Sequence, residues 1–284
     1  MKILVTGATG FIGSHLIFEL LKNKSNQIVA TSKSIKKAMK FAWYSKVKYI
    51  QYDFNKDNNE DLYSFFDKPD QLIHLAWDNL SEVKALDHLE VTLFDHCKFI
   101  KSMVENGLKE VVVTGTCFEY GMIEGSLNEY LNIKPSNSYG IAKDKLRKFI
   151  VDLKKSFNFT YKWIRVFYVY GERQSKTSLM YLLDEAIKNK DKEFNMSGGE
   201  QIRDFLYIED AVKYICLIAD QKIYINHVIN CCSGKPISVK NLVTNHLKKK
   251  KYIMKLNLGY YPYPDFEPMS FWGDRFYLDE LLKK

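Results

Sequence analysis

The chain is poor in the residues that staple small secreted domains or build metal centres. Its 284 residues include five cysteines, Cys97, Cys117, Cys216, Cys231 and Cys232. That number is odd and no pair has CxxC spacing, so neither a disulfide framework nor a zinc site is expected. The six histidines are scattered without an HExxH pair, and no metal is expected. No apolar run approaches the roughly 20 residues that span a bilayer, which excludes a membrane-spanning helix. No signal peptide is expected either. The first apolar run is short and leads directly into a glycine turn, as expected of a cytoplasmic protein. Internal repeats and low-complexity linkers are absent.

What is present suits a folded globular chain with a large core: 46% hydrophobic, 14% aromatic and 27% charged residues. The formal net charge is +8. The lysines are spread over many polar faces, and the one dense run, Lys248 to Lys251, follows a helical pattern and reads as a solvated helix end. Nucleic acid is therefore not an expected partner, while a phosphate-bearing substrate suits the positive balance.

Short apolar or β-branched runs alternate with amphipathic segments over the first two-thirds of the chain. The pattern predicts strands at 2–6, 27–31, 47–52, 71–76, 110–114 and 161–167. Between them it predicts helices at 11–22, 35–43, 81–106 and 137–157. That is the alternation of a parallel sheet with crossover helices. After Gly171 the alternation fades into helices at 178–189 and 209–220, the segment 198–208 and a Pro/Tyr/Trp-rich tail. The expected organisation is a dinucleotide-binding domain over 1–170 and a smaller substrate-binding lobe over 171–284, packed at the carboxyl ends of the strands.

The turn Thr6-Gly7-Ala8-Thr9-Gly10-Phe11-Ile12-Gly13 lies between the first strand and the first helix. Gly7 permits the tight turn, Gly10 lets backbone approach a pyrophosphate, and Gly13 lets the helix pack on the strand. The helix N-terminus then faces the phosphate charge. Thr9, Phe11 and Ile12 complete the cradle. These residues predict a Rossmann-type α/β fold, a doubly wound parallel sheet that binds a nicotinamide dinucleotide. An acidic residue at the end of the second strand would hold the ribose of NAD. Here Thr31, Ser32, Lys33 and Ser34 stand there, followed by Lys36 and Lys37. With no carboxylate to repel a 2′-phosphate, NADP(H) is favoured and NAD(H) is the alternative.

The Gly-x-x-Gly-x-x-Gly spacing resembles the extended short-chain dehydrogenase/reductase family, the NAD-dependent epimerase/dehydratase group, and the resemblance continues along nearly the whole chain. Asp53-Phe54 is similar to its adenine-contacting segment, and His74-Leu75-Ala76-Trp77 to its HxAA segment beside the nicotinamide, which adds Leu75, Ala76 and Trp77 to the cofactor site. Tyr139 and Lys143 match its YxxxK signature. Four residues apart on a helix, they share a face, and the ammonium favours the phenolate of a tyrosine that exchanges a proton with a sugar oxygen. The resemblance implies that Thr116 binds the same oxygen. It also implies that Arg203, in Arg203-Asp204-Phe205, clamps a substrate diphosphate, and that Phe271 and Arg275 belong to the tail segment lining the nucleotide-sugar pocket. Tyr168 departs from the family, which usually has Asn there, and it and Trp77 are candidates for shaping the sugar pocket.

Dehydratases of the family carry Asp-Glu after the threonine. Cys117-Phe118 stands there instead, and Glu119 is one position too late, so water elimination is not expected. The segments HLAW, GTCFEYG, RVFYVYG and EPMSFWGD resemble bacterial dTDP-4-dehydro-6-deoxyhexose reductases, including the dTDP-fucose-forming type. The reading is an NADPH-dependent reductase of the C4 ketone of a nucleoside-diphosphate 4-keto-6-deoxy sugar, in surface-polysaccharide sugar biosynthesis. An NAD-retaining 4-epimerase and a non-catalytic regulatory Rossmann protein are the rivals. A homodimer through the helices 81–106 and 137–157 is implied by the resemblance.

Overall fold

The computed structural model describes residues 1–56 and 61–283. Seven strands form the central sheet: β1 (Lys2–Thr6), β2 (Gln27–Ser32), β3 (Lys48–Gln51), β4 (Gln71–His74), β5 (Glu110–Thr116), β6 (Thr160–Val166) and β7 (His227–Cys231). All pairs are parallel, in the order β7-β6-β5-β4-β1-β2-β3. The order reverses between β1 and β4, and the crevice outside that switch point is where such sheets bind ligands.

Both faces of the sheet are covered, which explains its continuous apolar strands. Successive β1 residues point to opposite faces. Ile3 and Val5 join the core under helix α1 (Phe11–Leu20), while Leu4 joins the core under α2 (Leu93–Glu105) and α3 (Ser138–Leu153). A third core, built on Met180, Leu183, Phe194, Met196, Val243 and Leu247, belongs to the lobe. It packs helix α4 (Leu179–Asn189) against α6 (Val239–Lys250), with α5 (Ile208–Asp220) between them in sequence.

The chain does not divide cleanly at residue 171. Helix α5 covers the α1 side of the sheet, β7 pairs with β6, and the last helix, α7 (Phe276–Leu282), joins the same core. The lobe is built from the stretches between these returns. A pattern of fading alternation hides them, because one strand and two helices are enough to complete a sheet already started.

Two predicted helices are shorter than expected. The helix 35–43 is a single turn, Ile35–Ala38, capped by Ser34 Oγ accepting from Lys37 N. Beyond it Phe41 and Trp43 stack with centroids 5.1 Å apart, and Trp43 is fully buried. Residues two apart cannot share a helical face, so the stacking of Phe41 on Trp43 is incompatible with a continued helix. In the predicted helix 81–106, helical structure begins only at His88. Upstream, Val83 O accepts from Tyr139 N and Lys84 O from Ser138 Oγ, so both carbonyls serve the start of α3 rather than their own helix.

Candidate active site

Strand β1 ends in the glycine turn, and the turn opens α1. Gly7 has φ +68°, and a Cβ there would lie 2.8 Å from Ala76 N. At Gly13 a Cβ would lie 2.3 Å from Gly7 O. Both contacts are with backbone, which has no rotamer with which to give way. No side chain caps α1, whose N-cap is Gly10, so its first N–H groups are left for an anion. The cradle therefore fits a dinucleotide pyrophosphate. We expect Gly13→Ala to weaken dinucleotide binding by more than about tenfold and to lower Tm, as measured by fluorescence titration and thermal unfolding.

A cavity of about 640 Å³ runs from this cradle to the end of β5. Of the residues expected at the cofactor, Gly7, Thr9, Gly10, Phe11, Ile12, Gly13, Ser32, Lys33, Phe54, Leu75, Ala76, Trp77, Tyr139 and Lys143 all line it. Thr116 and Tyr168 line it as well. Ser34 and Lys37, both seen in the sequence beyond the second strand, also line the cavity, with Tyr52, Asp78 and His96, which sequence reasoning did not single out.

Two of the expected cofactor residues stand outside the cavity wall. Thr31 does not line the cavity. It is buried within β2, which runs one residue further, and its carbonyl accepts from Ala8 N. Asp53 lies beside the cavity rather than in its wall, at 3.4 Å from Lys33 Nζ. Lys33 also binds Asp78 at 2.7 Å. A carboxylate from another loop thus stands against Lys33 at the end of β2, which sequence spacing along β2 could not reveal.

Beneath the cavity three polar side chains form a buried line. Thr6 Oγ1 accepts from Leu75 N and Ala76 N, both at 3.2 Å, so its own proton goes to His74 Nδ1 at 2.9 Å. His74 Nε2 then donates to His96 Nδ1 at 2.7 Å. Burial holds both imidazoles well below their usual pKa and keeps them neutral. His96 stacks on Trp77 at 4.8 Å, and Trp77 Nε1 donates to His88 Nδ1 at 3.1 Å. This line fixes the segment 75–77. No motif in the sequence announces it, since its members lie on three separate elements.

Thr116, Tyr139 and Lys143 converge at the other end. Asn137 caps α3 by accepting from Gly140 N, placing Tyr139 in the first turn of the helix. Lys143 is buried, donates to Thr114 O at 2.8 Å and lies over the Trp77 ring at 4.0 Å. Burial drops its ammonium to about 7 despite the attraction of Glu119. Burial also pushes the Tyr139 phenol above its usual range, with the Thr116 hydroxyl acting in the opposite direction.

An anionic dinucleotide bound here favours the charged form of Lys143 and raises its pKa. Binding then takes up a proton, and affinity falls as pH rises above about 7. Calorimetry in buffers of different ionisation enthalpy should show this uptake at alkaline pH. Lys143→Met should abolish it.

Glu119 faces away from the cavity. Fully buried, it accepts from Thr116 N and Trp163 Nε1, both at 2.9 Å, and from Arg165 Nε at 2.8 Å. It is a structural carboxylate, as its position too late in the motif suggested. Burial also pushes the Cys117 thiol well above its usual pKa, so it stays protonated and is no base, and it lines neither cavity, so it is not placed as an acid for an elimination either.

A second cavity, of about 800 Å³, adjoins the first, with Tyr168 in the wall of both. Arg203 lines it, stacked at 4.6 Å on Phe271, but is already bonded: Nη2 to Glu267 at 2.9 Å, Nη1 to Ile202 O and Met269 O. The Tyr168 hydroxyl donates to the other oxygen of Glu267. Phe271 is buried and lines neither cavity, serving as the plate beneath Arg203. Arg275 is not at the site. Its guanidinium bonds Asp279, Cys232 O and Ser233 O, tying α7 to the loop after β7. The resemblance of the tail segment implied a shared pocket, but Arg275, at the start of α7, is held by these partners instead.

Among the described residues no group of three His, Cys, Asp or Glu side chains could hold a metal ion, and no helix is long and apolar enough to cross a membrane.

The profile of the NAD dependent epimerase/dehydratase family matches residues 3–232. The dTDP-6-deoxy-L-talose 4-dehydrogenase (NAD(+)) of Aggregatibacter actinomycetemcomitans is 28% identical over 277 residues, covering 96% of this chain and 99% of that protein. An uncharacterised UDP-glucose epimerase of Bacillus subtilis is 30% identical, covering 86% of this chain and 80% of that one. Among solved structures, the UDP-glucuronic acid 4-epimerase of Bacillus cereus, in complex with UDP-glucuronic acid and NAD, superposes with a TM-score of 0.86 at 26% identity. That match covers 100% of this chain and 93% of the other.

Proposed function

The chain belongs to the NAD dependent epimerase/dehydratase family, and from that premise we propose that it reduces the C4 ketone of a nucleoside-diphosphate 4-keto-6-deoxy sugar. The observation that carries this reading is the arrangement around β5. Thr116, Tyr139 and Lys143 share one cavity, while the positions after Thr116 offer no acid or base for eliminating water. The talose 4-dehydrogenase relative, named for chemistry at C4, supports it.

Hydride transfer is the chemistry that a bound nicotinamide dinucleotide supplies. In the direction of reduction, Tyr139 gives its phenolic proton to the sugar oxygen at C4. Thr116 holds that oxygen through its hydroxyl. Lys143, drawing its charge from solvent protons when the site is filled, stabilises the phenolate left behind. Trp77, fixed by His96, His88 and Lys143, forms one wall of the reaction cavity and excludes water. The nucleotide half of the substrate occupies the second cavity, so that the sugar passes Tyr168.

We favour NADPH as the reductant. Ser32, Lys33, Ser34 and Lys37 line the cavity at the end of β2 and would hold a 2′-phosphate. NADH is the second reading. The relatives' names carry NAD, and Lys33 already bonds Asp78. Lys37→Ala should weaken NADPH binding several-fold and leave NADH binding unchanged, as titrated by fluorescence.

The deciding experiment is to incubate the protein with NADPH or NADH and a panel of dTDP-, UDP-, GDP- and CDP-4-keto-6-deoxy sugars. Oxidation of the dinucleotide with formation of a 6-deoxyhexose nucleotide is the expected result. Tightly retained NAD with interconversion of two C4 epimers would instead establish the 4-epimerase. We also place a homodimer contact on the outer face of the helices α2 and α3, beside the exposed Val91 and Phe94. Light scattering tests it.

A further inference from the structure

The protein as a whole is strongly basic, yet its second cavity is acidic. Among the described residues lining it there is one cation, Arg203, and there are four carboxylates, Glu185, Asp191, Glu193 and Glu267. Glu185 and Glu193 stand at the rim and pair with Lys188 and Lys255, neither of which faces the cavity. Glu267 differs from them. Its side chain is 9% exposed, and its ion-pair partner is Arg203 itself. Its second oxygen accepts from Tyr168, the residue shared by both cavities. Glu267 therefore sits at the junction where a ligand would pass from the nucleotide end to the reacting end.

Arg203 cannot serve every anion that meets there. Three of its N–H groups already hold Ile202 O, Met269 O and Glu267. A bound diphosphate draws on the same guanidinium and leaves Glu267 with less compensation. A further acidic group on the sugar would then face a buried carboxylate with no second cation in the wall. Burying an unpaired charge is costly, and like charges in a poorly solvated site repel strongly. A sugar hydroxyl, in contrast, donates to Glu267 and satisfies it.

Resting on the nucleotide-sugar reading above, we propose that Glu267 is a specificity-determining residue. It admits sugars bearing hydroxyl or methyl groups and rejects those bearing a carboxylate. The selection is made at the junction of the two cavities, by charge, and is independent of which base the nucleotide carries.

The test is a matched pair of ligands titrated into the dinucleotide-loaded protein by calorimetry: UDP-glucose and UDP-glucuronic acid, which differ only at C6. The wild type should bind UDP-glucose at least about tenfold more tightly, and the ratio should change little with salt, because the repelling charges are buried. Glu267→Gln should bring the ratio to within about threefold by tightening UDP-glucuronic acid alone. Glu185→Gln, at the rim, should leave it unchanged. Equal binding of the two ligands by the wild type overturns the proposal, and that comparison does not depend on any variant folding. Equal tightening of both ligands in Glu267→Gln also overturns it, because Glu267 would then only compete for Arg203. If neither UDP-glucose nor dTDP-glucose binds, the nucleotide-sugar reading itself falls, and the proposal with it.

Discussion

Replacing Tyr139 by Phe should lower turnover by about 10²- to 10⁴-fold, the range typical of losing a positioned proton donor. Dinucleotide affinity should change little. The hydroxyl is the one atom removed, and the ring keeps its place beside Trp77, His88 and Phe118. The backbone bond from Tyr139 N to Val83 O is also untouched. The measurement is a steady-state assay with a 4-keto nucleotide sugar, paired with a cofactor titration. Activity within a few-fold of wild type would remove Tyr139 from the chemistry. Loss of cofactor binding in step with activity would show that the hydroxyl mainly holds the dinucleotide. Thr116→Val should give a smaller loss, because it removes a bond to the oxygen without removing the proton source.

The largest effect on stability should come from Glu119→Ala. Among the described residues Glu119 is the carboxylate that forms an ion pair with Arg165, whose guanidinium is buried and lies 4.5 Å over the Tyr120 ring. Removing the carboxylate leaves a buried cation without its ion-pair partner, a change that costs about 3–5 kcal/mol. For a chain of this size that corresponds to a fall in Tm of roughly 10 °C. It also frees Thr116 N and Trp163 Nε1, both of which donate to Glu119. Chemical denaturation measures the loss. The double variant Glu119→Ala/Arg165→Met should recover part of it, since the stranded charge is gone. A loss under about 1 kcal/mol for Glu119→Ala would mean that water reaches Arg165.

These two residues are only twenty apart in sequence and show different degrees of legibility. Tyr139 was readable because its chemistry is local: four residues along a helix bring Lys143 onto its face wherever that helix lies. The role of Glu119 was readable only by exclusion. Its partners Trp163 and Arg165 lie on β6, and only the pairing of β5 with β6 brings them together.

The same distinction runs through the whole molecule. By itself the sequence determined the parallel sheet, the glycine cradle and the positions of Thr116, Tyr139 and Lys143. Strand alternation, turn sterics and helical spacing all act over a few residues, so their consequences are written in short stretches of chain. The tertiary structure alone decided what the charged side chains face. It turned Arg275 away from the site, placed Phe271 beneath Arg203, set Asp78 against Lys33 and gave Arg203 to Glu267. Each of these depends on which loops meet at the carboxyl edge of the sheet, and a charge acts across space with no period along the chain. A net positive sequence could for that reason close around an acidic cavity.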